Sequence, residues 1–333
     1  MSWPSLGCRQ AHRLIPYLYP NSNPAHYAHY DHYDQYTYTM RIRLFSVLWL
    51  LSLSAAGCAT GNPPPGVSNA PLPFTIERFD LPGPLAGVVA RVDLTDPRVQ
   101  VKVALADDHD PDGAGPCVGQ LATTSNAARQ NDFAIAINAS FFAAPNTRAL
   151  HGKSIRYFVG NCAIPEGWHV SEGRLVTRPV NENLRAVFIV DEDGTVSFHD
   201  RARELPATTR YAVSGSAIVL KDGQVIARPN ETARHPRSAV GVSADGRSLL
   251  IVAVDGRQDH SRGATLEELG QLMQTLGAKH ALNLDGGGST ALVVKDPGTG
   301  VFAIANQPSD KSASMPNVRI ERPVADVIGI TVR

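Results

Sequence analysis

The chain has no surplus charge of either sign: 31 Lys and Arg stand against 31 Asp and Glu in 333 residues. The overall balance therefore gives no reason to expect nucleic acid or an acidic polymer as partner. Long apolar runs are missing as well. The stretch at 44–53 is too short to cross a bilayer as a permanent helix. Internal repeats are absent, and no second break in composition divides the chain after residue 74. Three glycines in a row occur at 286–288, but no lysine follows them and no GxxxxGK[ST] pattern exists, which excludes a nucleotide P-loop. Cysteine is scarce, with four in all. Helical periodicity is also scarce. By contrast, 28 glycines and 24 prolines fit many short strands joined by tight turns.

The N-terminal part differs from the rest. AHYAHYDHYDQYTYT (25–39) is a low-complexity run without apolar periodicity, and residues 1–39 read as an untranslated or disordered extension. From Met40 the chain reads MRIRLFSVLWLLSLSAAGC: Arg41 and Arg43, an apolar segment, then small residues up to Cys58. This is the pattern of a bacterial lipoprotein signal over 40–58, with Cys58 lipidated and the product anchored to the cell envelope. An ordinary cleaved signal is the alternative, and either implies export. Residues 59–73 are a Pro-rich tether. Beyond the anchor only Cys117 and Cys162 remain, a pair expected to form a disulfide in an oxidising compartment.

From 74 to 333 the sequence reads as one domain of α+β or mixed α/β class. It is expected to be a largely β mixed sheet with few helices and one strand–helix–strand crossover. Apolar or alternating runs at 86–94, 98–105, 133–138, 185–190, 211–220, 238–243, 248–254, 281–284, 290–294 and 326–332 predict strands. TDPR, DEDG, KDGQ, SADGR and DPGTG supply the turns. One helix is clear in TLEELGQLMQTLG: Thr265 caps it, Glu268 completes a capping box and Gly277 ends it.

The unit 248–294 carries the functional argument. A strand, this helix and a second strand predict parallel neighbours, with Asp255 and Asp285 at the carboxyl ends of both. The hairpin through SADGR brings His235 and Arg237 to the same edge as Asp255 and Arg257. Asn138, which ends the 133–138 strand, joins them if that strand runs parallel to 248–254. Burying such a polar cluster for structure alone would be costly, so it reads as a site. Gly286, Gly287 and Gly288 allow a sharp turn and close ligand approach, and their N–H groups can cup an anion.

The motifs Asn138-Ala-Ser-Phe141-Phe142, His235-Pro-Arg237-Ser, Asp255-Gly-Arg257 and Asn283-Leu-Asp285-Gly-Gly-Gly-Ser289 together resemble the phosphodiester glycosidase family. Asn306-Gln-Pro and Glu321-Arg322-Pro resemble its C-terminal pattern, and the resemblance spans about residues 75–333. It implies hydrolysis of the bond between an anomeric carbon and a phosphodiester. The ligand would be a phosphodiester-linked sugar or envelope glycopolymer. Asp285, then Asp255, are the candidate carboxylates for the reacting centre. Arg237 and Arg257 suit the phosphate. Asn138, Asn283, His235 and the segment Gly286 to Ser289 complete the binding residues. Phe141 and Phe142 are candidates to stack on a sugar face. No cofactor is implied. A divalent cation held by the aspartates and asparagines would make a metal-dependent phosphodiesterase instead, and a non-catalytic carbohydrate-binding lipoprotein is the remaining alternative.

Overall fold

The computed structural model describes residues 71–333 apart from positions 151, 181, 185, 229, 313 and 316. The readings for residues 1–70, including the signal and Cys58, lie outside the described residues.

Three sheets make the body. The first has seven strands in the order Phe74–Leu81, Leu85–Asp93, Ser248–Val254, Arg237–Ser243, Ala278–Asn283, Ala217–Lys221, Gln224–Val225. The second runs Phe302–Ile304, Leu292–Lys295, Ile135–Asn138, Asp326–Val332, Val99–Leu105. The third runs Arg174–Thr177, His169–Ser171, Thr209–Gly215, Ala186–Asp191, Val196–His199.

Strand alternation explains how they pack. Leu249, Ile251 and Ala253 face a core shared with Ile135, Ile137 and Ile328 of the second sheet and Phe188 of the third. Leu250, Val252 and Val254 point the other way. There they meet Leu266, Leu269, Leu272 and Met273 of the helix Leu266–Thr275. A second helix, Thr124–Gln130, covers the outer side of the second sheet through Ala127 and Ala128, against Ala136 and Val327. Because both faces of the central strands are covered, their sequences are almost continuously apolar.

The expected capping box is present: Thr265 Oγ1 accepts from Glu268 N at 3.1 Å, and Glu268 Oε2 accepts from Thr265 N at 3.0 Å. The expected mixed sheet is not. Every strand pairing recorded among the described residues is antiparallel. The helix does cross from Ser248–Val254 to Ala278–Asn283, but Arg237–Ser243 lies between them and pairs with both. The two flanking strands run the same way without touching, and their carboxyl ends still share one edge.

Three further differences have local causes. The run at 211–220 splits at Ser216, where the chain leaves the third sheet for the first. The strand Phe74–Leu81 escapes the pattern because it is an edge strand whose middle, Thr75 to Arg78, is not buried on either face. The short helix Thr124–Gln130 has too few turns for a periodic stripe, although Thr123 caps it.

Cys117 and Cys162 are bonded, with Cα atoms 5.3 Å apart and a sequence separation of 45. Closing a loop of that length removes chain entropy worth about 4 kcal/mol from the unfolded state. Reduction, or Cys117→Ser with Cys162→Ser, is therefore expected to lower Tm by more than 5 °C, roughly what a loss of a few kcal/mol produces in a domain of this size. Paired thermal melts with and without reductant check this.

Candidate active site

The site lies where the first and second sheets meet. Asp285, two residues past the end of Ala278–Asn283, is held by backbone on both sides. Leu284 N donates to Ser238 O at 2.9 Å, and Asp285 N donates to Ala139 O at 2.8 Å. Asn138 closes the seam. Its Nδ2 donates to Asp285 O (2.6 Å), and its Oδ1 accepts from Ser238 Oγ (2.7 Å) and Ala291 N (3.2 Å). Asn138 belongs to the second sheet, not to an extension of the first, and is fully buried. Its amide is spent on protein groups, which corrects the expectation that it faces ligand.

Asn283 is turned inward in the same way. It donates to Ser216 Oγ (2.9 Å) and to Leu284 O (2.8 Å) at 1 % exposure. Arg237 is also drawn inside: Nε donates to Ala264 O (2.9 Å) and Nη2 to Glu231 (2.9 Å). It braces the segment leading into the helix, so the phosphate role expected for it does not match its placement.

The two aspartates differ sharply. Asp255 is 2 % exposed and fully engaged. Its Oδ1 accepts from Gln307 N (2.8 Å) and Asn306 Nδ2 (3.3 Å), and its Oδ2 pairs with His260 Nε2 at 3.0 Å. It fastens the 306–307 segment and orients a partly exposed imidazole. Asp285 keeps partial exposure. Burial pushes its carboxyl up to about 6. The Ser289 hydroxyl, the Arg322 guanidinium and the Gly286 N–H pull it down, and the negative charge of Asp326 pushes it up again. Asp326 stands behind the site in a fully buried pair with His169 at 2.8 Å, and also accepts from Ser140 N at 2.7 Å.

Each of the three glycines meets a different neighbour. A Cβ on Gly286 would lie 2.5 Å from Pro236 O. Gly287 has φ +63° and sits with its Cβ position 3.3 Å from Arg257 Nη2. A Cβ on Gly288 would strike Arg322 and Asp310. Their N–H groups do not form the expected open nest. Gly286 N donates to the Asp285 carboxylate (2.9 Å) and Gly287 N to Pro236 O (2.9 Å). The glycines instead let two guanidiniums approach the loop next to Asp285.

One of these is Arg257, exposed and itself at φ +59°. Its Nη2 lies 3.4 Å from His235 Nδ1. Since guanidinium only donates, that contact calls for an unprotonated His235 Nδ1. Burial, then Arg237 and Arg257, depress the His235 pKa. The other is Arg322, which meets Asp310 through two bonds of 2.9 and 3.1 Å and lies 4.4 Å over the Tyr157 ring. Tyr157 in turn meets Phe142 edge-on at 5.8 Å. Arg322 stood in the sequence only as part of a C-terminal pattern. It lies in a loop outside any strand, 37 residues past Asp285 in the numbering, so no local spacing marks it as a partner of that carboxylate. Among the described residues no group of three or more His, Cys, Asp or Glu is gathered as a metal site.

A carboxylate raised toward neutrality beside a glycine loop that two guanidiniums approach suits a ligand in which an anion is joined to an electrophilic carbon. The sequence model of the phosphodiester glycosidase family matches residues 131–331, more than half the chain, and the protein belongs to that family. It is 27 % identical over 223 residues to the N-acetylglucosamine-1-phosphodiester alpha-N-acetylglucosaminidases of Bos taurus and Mus musculus. The match takes in 60 % of this chain and 38 % of theirs. An uncharacterized SPbeta prophage-derived protein of Bacillus subtilis is 42 % identical over 62 residues, 19 % of this chain and 10 % of its own length. The fold matches the zebrafish catalytic domain of the same enzyme, solved auto-inhibited by its pro-peptide, with a TM-score of 0.56 at 22 % identity over 80 % of this chain and 86 % of that one. A Synechocystis protein of hypothetical function matches at 0.53 and 18 % identity, over 78 % and 62 % of the two chains.

The raised carboxyl of Asp285 has a consequence for stability. The folded state holds this proton more tightly than the unfolded chain. The group therefore contributes stability below about pH 4 that is lost as pH rises through 6. Asp285→Asn keeps the shape without the charge, so at pH 8 its Tm is expected to exceed the parent's by a few degrees. The gap should close by pH 4, as read in melts across that range.

Proposed function

We propose that this protein is an exported hydrolase that cleaves the anomeric bond of sugar-1-phosphodiesters in glycoconjugates or envelope glycopolymers. The observation that carries the proposal is Asp285, partly exposed and titrating near 6, with the Arg257 and Arg322 guanidiniums against the adjoining glycines. Membership of the phosphodiester glycosidase family supports the same reaction.

The division of labour follows from the surroundings. Arg257 and Arg322 hold the phosphate through charge-assisted bonds. A phosphomonoester leaves with little help from a proton donor, so the reaction asks mainly for phosphate recognition and for a carboxylate at the anomeric carbon. Asp285 meets that carbon, stabilising its oxocarbenium character and acting as nucleophile or as base toward water. Asp255 does not touch the sugar. It positions His260 and the 306–307 segment. Placement outside the cytoplasm, with an anchor at Cys58, agrees with the signal pattern at 40–58 and with the Cys117–Cys162 disulfide.

The purified protein, given the methyl phosphodiester of N-acetylglucosamine 1-phosphate, should release reducing sugar and methyl phosphate in the presence of EDTA. Asp285→Asn should lose 10²- to 10⁴-fold, roughly the range for a group acting on the reacting centre. Arg257→Ala and Arg322→Ala should each lose about 10- to 100-fold in kcat/KM, as expected for a bond to a charged group. Wild-type kcat/KM should rise with pH through about 6 as Asp285 ionises. Release of sugar 1-phosphate, or activity abolished by EDTA, would mean cleavage at phosphorus by a metal and would sink this reading.

A further inference from the structure

Arg322, whose charge acts on the Asp285 carboxylate, also touches the wall of a cavity of about 740 Å³. Two of its contacts, Tyr157 beneath the guanidinium and Asp310 beside it, belong to the cavity wall. The opposite flank, next to Arg257, has a shallower hollow of about 450 Å³ with charges of both signs, Arg257, Asp259 and Arg262.

The larger cavity is cationic in a way the neutral overall composition hides. Arg148 and Arg156 come from the open end of the hairpin formed by Arg148–Leu150 and Lys153–Ile155, where Arg148 pairs with Ile155, and Lys311 comes from another loop of the wall. Among the described residues none of the three pairs with a carboxylate; Arg148 lies 4.4 Å over the Phe158 ring. Both acids of the wall are already committed. Asp310 is bonded twice to Arg322, and Glu321 accepts from Ser125 N and Oγ at 3.2 and 2.9 Å. The remaining wall mixes apolar Leu150, Ile155 and Ile320 with the hydroxyls of Ser154, Ser312 and Ser314.

We infer that this cavity receives the aglycone as an extended anionic chain carrying a second phosphate beyond the one that is cleaved. The inference rests on the proposed sugar-phosphodiester chemistry. A neutral hexose or a simple alkyl aglycone would leave three cations facing nothing. A nucleoside diphosphate would set both phosphates beside Arg322 and turn the distal cations toward an uncharged nucleoside. A glycosyl-phosphate polymer places its next charge one sugar further along, within reach of cations from two parts of the wall.

The test compares the methyl phosphodiester of N-acetylglucosamine 1-phosphate with its phosphate-linked trimer. Arg156→Ala with Lys311→Ala should raise KM for the trimer about tenfold, the size expected of two partly exposed charge pairs. It should leave kcat, and both constants for the methyl diester, unchanged. The trimer's advantage should shrink with added salt, and Arg156→Lys with Lys311→Arg should restore most of it. An equal change on both substrates would overturn the inference. So would a selective loss on UDP-N-acetylglucosamine without one on the trimer, or a changed preference among sugars at constant aglycone. If wild type turns over none of these substrates, the proposed reaction fails instead. Calorimetric titration of the trimer into the Asp285→Asn protein then decides the cavity alone. Binding lost on Arg156→Ala with Lys311→Ala upholds an anionic-chain site, and binding unchanged refutes it.

Discussion

The side-chain amide of Asn138 holds together the region on which the site depends. Two sheets packed face to face are joined by apolar contact, which is non-directional and tolerates small sliding. A site built from both sheets needs fixed registry at their common edge. Asn138 supplies it by reaching from the second sheet to Asp285 O, Ser238 Oγ and Ala291 N, three segments of chain on both sides of the glycine loop. Ala139 O adds a bond to Asp285 N, and Asp326 holds the next residue through Ser140 N. The position of the Asp285 carboxylate is therefore set by directional bonds within a buried polar network, where each group left unpaired would cost about 1–3 kcal/mol.

That network sorts the polar residues of the edge into two kinds. Asn138, Asn283, Arg237 and Asp255 are enclosed and bonded to protein groups. Asp285, Arg257, His235 and Arg322 keep open faces. Two aspartates that look equivalent in sequence, each at the end of a strand running the same way, become different groups in this setting. Asp255 is saturated by Gln307 N, Asn306 and His260, whereas Asp285 has fewer donors and carries the burial penalty. Environment, more than position along the strand, separates a fastening carboxylate from one left partly open with a raised pKa.

The same logic explains what could be read from the chain beforehand. Strands buried on both faces and the helix with its Thr265–Glu268 box announce themselves through short-range pattern. So does the hairpin through SADGR, which brings Arg237 opposite Val254. Which strand fills the gap beneath a crossover depends on packing among distant segments, so the intervening Arg237–Ser243 strand was not legible in that role. The orientation of Arg237 and of the two asparagines was illegible for a similar reason. A polar residue at a strand end can point to ligand or to a neighbouring chain, and only the neighbour decides. Arg322 was hidden by its distance along the chain, because its partners Asp310, Tyr157 and the Gly288 backbone share no spacing rule with it.

Two guanidiniums at the loop suit the charges that the proposed reaction would bring together there. A carboxylate approaching an anomeric carbon that bears a phosphodiester brings two anions together, and Asp326 behind adds a third negative charge. One guanidinium would leave that assembly strongly negative in a partly dehydrated site, where Coulomb terms are large. In the proposed reaction Arg257 and Arg322 between them would offset both the carboxylate and the phosphodiester. Part of the Arg322 charge is already balanced by Asp310, and burial holds the Asp285 carboxyl up at about 6. As the anomeric bond breaks, charge on the departing phosphate grows toward the dianion. The guanidiniums then gain attraction as the reaction proceeds, which is the condition for stabilising a transition state above its ground state. Gly287 and Gly288, without side chains, are what let both cations stand against the loop beside that carboxylate.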